Sequence, residues 1–234
     1  HQETLVPYVI ENHQRIQYLQ TFSGAQGASA FWFGHVDYTQ PVVANRLDTT
    51  RGLLAPYMEA NDQSFQCPDL SPNVVETTRF GRPASGFGYN GYYLSRPQGV
   101  HWPPPAYRAQ PHPAPLAKRM ADVAQTSLTI AFADSAQVRL TTFFPPAFAF
   151  EESWLLDPPS RNYPTMHFRH SGTANVGFLD GHVSSYKREL VLDVPGTNFM
   201  SRQQADLIEH HKLGFISGGF LYDPARRDEL YDLD

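Results

Sequence analysis

The densest run of chemistry-bearing side chains in this 234-residue chain lies between positions 167 and 182: His167, Arg169, His170, Asp180 and His182. Strand alternation puts His167 and Arg169 on one face, with His170 on the other, beside the Ser171-Gly172-Thr173 turn. Asp180 and His182 straddle Gly181 and are expected to point toward one locus. Imidazole with carboxylate is a ligand set for zinc or another divalent ion such as calcium, and equally a set for general-base catalysis. His170, Asp180 and His182 are the expected metal ligands, with Asp134 or His167 completing the shell. A structural reading competes: Asp180 accepts backbone N–H bonds in its own turn while His170 bonds across the hairpin.

A second constellation is aromatic. Tyr89, Tyr92, Tyr93, Trp102 and Tyr107, together with Arg96, His101 and Arg108, have the composition of a carbohydrate cleft. Flat rings stack on sugar faces and guanidinium groups pair with carboxylates. The same composition serves as apolar surface beneath a long loop. Gly86-Phe87-Gly88-Tyr89-Asn90-Gly91 matches G-x-G-x-x-G, but a dinucleotide site needs a helix after the glycines. Tyr92-Tyr93-Leu94 followed by Pro97 suits a strand, so the glycines read as relief in a twisted aromatic segment. Cys67 is the chain's one cysteine, which excludes an internal disulfide and a Cys-rich zinc site; beside Pro68 it reads as a small buried residue. Neither G-x-S-x-G nor H-E-x-x-H occurs.

The elements that must position these groups are sheet-like. Hydrophobic residues make up 41% and charged residues 18%, enough to bury a core, while 20 prolines and 16 glycines oppose a helical bundle. An apolar stripe (Leu5, Tyr8, Val9, Ile16, Leu19, Phe22) predicts an N-terminal helix within residues 1–25. Ser127–Ala133 reads as the central strand. Thr165–Arg169 and Ala174–Leu179 read as a hairpin, and Asp180-Gly181 as a second turn leading into a strand at His182–Tyr186. Ser201 with Gln204 three residues on caps a short helix to His210. Pro-rich ordered excursions are expected near 79–115 and 143–164, within one domain whose sheet region covers 26–200 and whose tail covers 201–234.

Charge narrows the partners. Eighteen basic residues face 23 acidic ones, for a formal net of −5, and only Lys118, Lys187 and Lys212 are lysines. Nucleic-acid binding needs a concentrated basic face, so it is not expected. No apolar run approaches the roughly 18 residues of a membrane span.

His170, nine intervening residues and then Asp180-Gly181 make an H-x9-D-G signature. With it the chain resembles the bacterial prepilin-type processing-associated H-X9-DG family, the DUF1559 proteins. Asn12-His13-Gln14-Arg15-Ile16 is similar to that family's Asn-Leu-Lys-Gln-Ile helix. Arg51–Tyr57, Gln66-Cys67-Pro68-Asp69, Gly88–Tyr92, Ala131–Ser135, Leu213-Gly214-Phe215 and Leu230-Tyr231-Asp232 agree in order. The resemblance implies an α+β, type IV pilin-like fold, with an N-terminal helix packed on an antiparallel β-sheet, and export to the cell surface. Two departures stand out: the apolar half of the assembly helix is missing, and Val9 occupies the place where many relatives carry a Cys able to pair with the Cys-Pro one.

The expected function is therefore a secreted or cell-surface pilin-like protein with a structural, adhesive or ligand-binding role. Other pilin-like subunits or surface polysaccharide would be its partners, and a divalent ion would pin its loops. Trp102, Tyr93, His101 and Arg96 are the expected ligand contacts. The alternative is a polysaccharide lyase acting on uronate-containing glycans. In that case His170 or His182, or Tyr89 or Tyr92, removes the proton, and Arg169 or Arg108 neutralises the carboxylate.

Overall fold

A computed structural model describes residues 3–59, 61–70, 74–96, 98–161, 163–189 and 201–234. The architecture is mixed α and β, dominated by antiparallel strands. Strand β1 (Val9–Glu11), helix α1 (His13–Thr21) and strands β2 (Ala28–Phe31), β3 (His35–Asp37) and β4 (Leu47–Asp48) come first. The four strands form an antiparallel meander in that order. Next come β5 (Phe87–Tyr89), the one-turn helix α2 (Gly91–Leu94) and a small ribbon, β6 (Val100–His101) with β7 (Gln110–Pro111). Strand β8 (Ile130–Asp134) precedes the hairpin of β9 (Gln137–Phe143) and β10 (Pro146–Glu151). The chain closes with β11 (Met166–His167), β12 (Thr173–Phe178), β13 (Val183–Lys187), helix α3 (Arg202–His210) and β14 (Leu213–Gly214). The second four-stranded sheet runs β13-β12-β8-β5, antiparallel throughout.

The apolar run ending in Asp134 becomes the strand that β5 and β12 flank, almost wholly buried as its composition demands. In β12 the inward residues are Ala174, Val176 and Phe178, the period-2 pattern of a strand with one covered face. The loop at its end carries Gly181 at φ +92°, and the Phe178 N–H bonds the His182 carbonyl. This is the hairpin geometry an Asp-Gly pair favours. Ser201 caps α3 by accepting from the Gln204 N–H at 3.2 Å.

Three expectations are corrected. The N-terminal helix begins only at His13, capped by Asn12, and buries none of its residues. The earlier half of the stripe is extended because Val9–Glu11 pairs with Ser29–Phe31, so Tyr8 and Val9 enter the core from a strand. The turn at Ser171-Gly172 does form, with both residues at positive φ and His170 bridged to Thr173. The hairpin stops there, because β11 pairs with β14 and the Phe168 N–H donates to the Lys212 carbonyl. The segment from Phe143 opens as β10 rather than as a loop, its Phe148 and Phe150 packing on the α3 side of the core.

One aromatic core joins the two sheets. Trp32, 1% exposed, meets Phe33, Phe65 and Phe132 edge-on with ring centroids 5.1–5.6 Å apart. Its indole N–H donates to the Trp154 carbonyl at 3.1 Å. Each such ring pair contributes about 0.5–1.5 kcal/mol beyond area burial. On the other side of the second sheet, Ile130, Val176 and Phe178 pack with Phe168, Ile216 and Tyr231. Buried Asn90 ties this layer together, donating through Nδ2 to the carbonyls of Ile130 and Tyr231. Among the described residues no helix is long and apolar enough to cross a membrane.

Candidate functional site

The end of β8 and the root of β12 bring together groups far apart in sequence. Asp134 is fully buried, and its Oδ1 accepts from Arg169 Nη2 at 2.7 Å. Its Oδ2 accepts from the Asn175 N–H at 2.7 Å and lies 3.1 Å from His170 Nε2. The other ring nitrogen of His170, Nδ1, is 2.9 Å from Asp69 Oδ2. Cys67 Sγ sits 3.7 Å from Nε2, delivered by the loop that follows the 3-10 turn Asp62–Phe65. Arg169, with its side chain 3% exposed, also donates to the carbonyls of Gly86 and Ser135 and to His167 Nδ1.

This arrangement splits the expected metal set. His170 and Asp134 meet, and Cys67, which the sequence reading set aside, joins them. Asp180 and His182 lie at the opposite end of β12, a strand of six residues rising about 3.3 Å each. There Asp180 Oδ1 accepts from both the backbone N–H and Nδ1 of His182, whose ring stacks on Phe178. The structural reading of that turn therefore holds for Asp180. His167 also leaves the set. Its Nδ1 lone pair accepts from Arg169, and burial beside that guanidinium lowers its pKa to about 3, so it is a neutral ring.

The lyase constellation does not assemble either. Tyr89 is 1% exposed and donates to the Val6 carbonyl at 2.9 Å. Tyr92 is hydrogen-bonded to Asp157 and lies under Arg161. Burial pushes both phenols up, away from service as bases. His170 is held at the cluster above, His182 at the far turn, and Arg169 inside the fold. Arg108 is exposed.

No family profile, curated protein or solved structure matches the chain. Its function rests on what the molecule itself presents.

What it presents beside this cluster is an open cleft of about 680 Å³ between α1, the β3–β4 loop, the 98–102 segment and the β9–β10 ribbon. Arg15, Arg46, Arg79 and Arg139 line it with Tyr8, Tyr38, Trp102 and Trp154. Arg15 lies 3.9 Å over the Tyr38 ring, and Arg79 4.7 Å over Trp154. Buried Glu151 holds two of the four: its Oε1 accepts from Arg79 Nε and Nη2 and from Arg139 Nε at 2.7–3.0 Å. Glu11, also in the lining, bonds the Ser29 hydroxyl, and burial raises its carboxyl pKa. Four guanidiniums against these two carboxylates leave the cleft cationic in a chain of net −5.

Of the expected ligand contacts, only Trp102 reaches this cleft. Tyr93 donates to Asp228 at 2.7 Å, and His101 stacks on His112 at 4.8 Å. Arg96 is exposed and does not line it. The four arginines were invisible as a set in sequence, each isolated on a different element. The G-x-G-x-x-G segment does run from a strand into a helical turn, but a Cβ on Gly91 would lie 2.8 Å from Leu155 and 3.1 Å from Tyr8. That packing leaves no room for a pyrophosphate.

Proposed function

We propose that the protein is a pilin-like, surface-displayed scaffold that binds an anionic polysaccharide of the uronate type in the arginine–aromatic cleft. The cleft carries the reading. Guanidinium groups match carboxylates in fork geometry, and indole and phenol rings offer flat faces to sugar rings. Arg79 and Arg139 are pre-oriented by Glu151, so little rotamer freedom is lost on binding. The H-x9-D-G resemblance supports export and display, and places other pilin-like subunits beside polysaccharide as partners.

Titration calorimetry with a panel of polyuronates and matched neutral glucans tests the reading. Polyuronates bind in a salt-sensitive manner, and neutral glucans do not. Arg46→Ala and Trp102→Ala each weaken binding about tenfold or more, as loss of one charge-assisted bond or one stacking face implies. Equal binding of neutral and acidic polymers, or none at all, refutes it. On the same panel, ultraviolet absorbance for unsaturated product stays flat, because no base is assembled; a rising signal would restore the lyase. Antibody labelling of intact source cells tests display.

A further inference from the structure

We propose that Cys67, Asp134 and His170 form a site for a thiophilic divalent cation, zinc by its donor set, with Asp69 orienting the imidazole. The inference stands apart from the glycan cleft. One ligand atom from each of the three residues lies within 4.8 Å of the others.

The separations are those of a coordination polyhedron. With metal bonds of about 2.3 Å to sulfur and 2.0–2.1 Å to nitrogen and oxygen, tetrahedral edges fall at roughly 3.3–3.6 Å. The observed edges are 3.7 Å from Sγ to Nε2 and 3.1 Å from Nε2 to Asp134 Oδ2. Outer partners are also in place. His170 Nδ1 faces Asp69 Oδ2 at 2.9 Å, the carboxylate–histidine pairing that fixes a ligand's tautomer. Asp134 is held by Arg169 and by the Asn175 N–H, leaving its Oδ2 a lone pair for the ion.

Charge points the same way. A thiolate and two carboxylates against Arg169 leave two negative charges, which one divalent cation neutralises. The Cys67 thiol releases its proton to solvent on binding, and His170 keeps its hydrogen on Nδ1 for Asp69. Sulfur selects zinc over calcium, which takes oxygen ligands. An imidazolium would satisfy the two carboxylates but gives Cys67 no part. A Cys–His nucleophile is disfavoured because Asp134 occupies the Nε2 that must take the thiol proton, and Pro68 offers no N–H to an oxyanion. The Cys67 loop is held close by Gly86, where a Cβ would come within 3.0 Å of Cys67 Cβ and N.

The full chain, stripped with chelator, is titrated with Zn²⁺ by calorimetry and separately with Co²⁺ by absorption. One equivalent of zinc binds with a Kd of about 1 μM or tighter. The cobalt form shows tetrahedral d–d bands and sulfur-to-cobalt charge transfer. Cys67→Ser removes the charge-transfer band. Asp69→Asn keeps the stoichiometry and weakens affinity about 10–100-fold. His182→Ala changes nothing. Absence of a stoichiometric site, cobalt spectra without the sulfur band, or Asp69→Asn affinity equal to wild type overturns the proposal. The spectra of the unaltered protein and the Asp69 variant decide it even if Cys67→Ser fails to fold.

Discussion

Replacing Asp134 by Asn in the metal-free protein strands a buried cation. Asp134 is fully buried and accepts from Arg169 Nη2, the Asn175 N–H and His170 Nε2. An amide keeps the shape but cancels the charge, and its NH₂ must point at a donor whichever way it turns. Arg169 keeps the carbonyls of Gly86 and Ser135, yet loses the one carboxylate on it. Breaking a buried pair from one side costs about 3–5 kcal/mol, a large share of the roughly 5–15 kcal/mol that a folded domain holds. At about 2–4 °C per kcal/mol for a chain of this size, Tm falls by roughly 6–20 °C. Urea denaturation followed by circular dichroism measures it, and an unchanged m-value certifies the comparison. Adding Arg169→Met removes the stranded charge and returns part of the loss. Asp180→Asn, at the exposed end of the same signature, leaves the midpoint within error. A loss at Asp134 below about 1 kcal/mol, or an equal loss at Asp180, would refute the reasoning.

Two further outcomes follow from buried polar groups. Glu152 is 1% exposed, accepts one backbone N–H from Ala84, and is pushed by burial to about 7 from an ordinary 4.5. The folded state therefore keeps a proton that the unfolded chain gives up. That contribution is full below pH 4.5 and is lost as pH rises through 7, by about 3 kcal/mol in all. Denaturation midpoints across this range show the decline in the wild type relative to Glu152→Gln; parallel pH profiles would exclude it. Asn90→Ala leaves the carbonyls of Ile130 and Tyr231 without their side-chain donor and costs about 2–4 kcal/mol. Hydrogen exchange in 228–234 should accelerate with it; an unchanged rate would mean that Asn90 does not hold the tail.

Local signals carried through. The apolar run at Ile130–Asp134, the Asp180-Gly181 turn and the Ser201–Gln204 cap each depend on contacts within a few residues, and each formed. Failures came where distant backbone competed. The stripe from Leu5 to Val9 has helical spacing, but β2 offered it a partner and Pro7 hindered the helix. Cys67 looked inert because its partner lies 103 residues away. Arg15, Arg46, Arg79 and Arg139 carry no mutual periodicity, since a cleft gathers side chains from loops whose approach is set by tertiary packing. Glu151 is the residue that could have hinted at the cleft: a carboxylate inside an alternating strand next to Glu152 demands buried cationic partners.

The nine-residue spacing of the H-x9-D-G signature follows from the sheet rather than from a shared ligand. His170 and Asp180 are separated by a tight turn, the six residues of β12 and the first half of the next loop. A strand of that length is what it takes to cross the sheet beside β8 and place Ala174, Val176 and Phe178 into the core. One end of the crossing meets Asp134 and Cys67; the other needs a Gly at positive φ and an Asp that accepts the N–H two residues on. Inserting or deleting one residue within β12 would flip those three apolar side chains to the open face. The spacing is therefore constrained even though its two named residues never touch. The register of β12 fixes where His170 stands, and so the cluster at its root depends on the hydrophobic pattern of the strand.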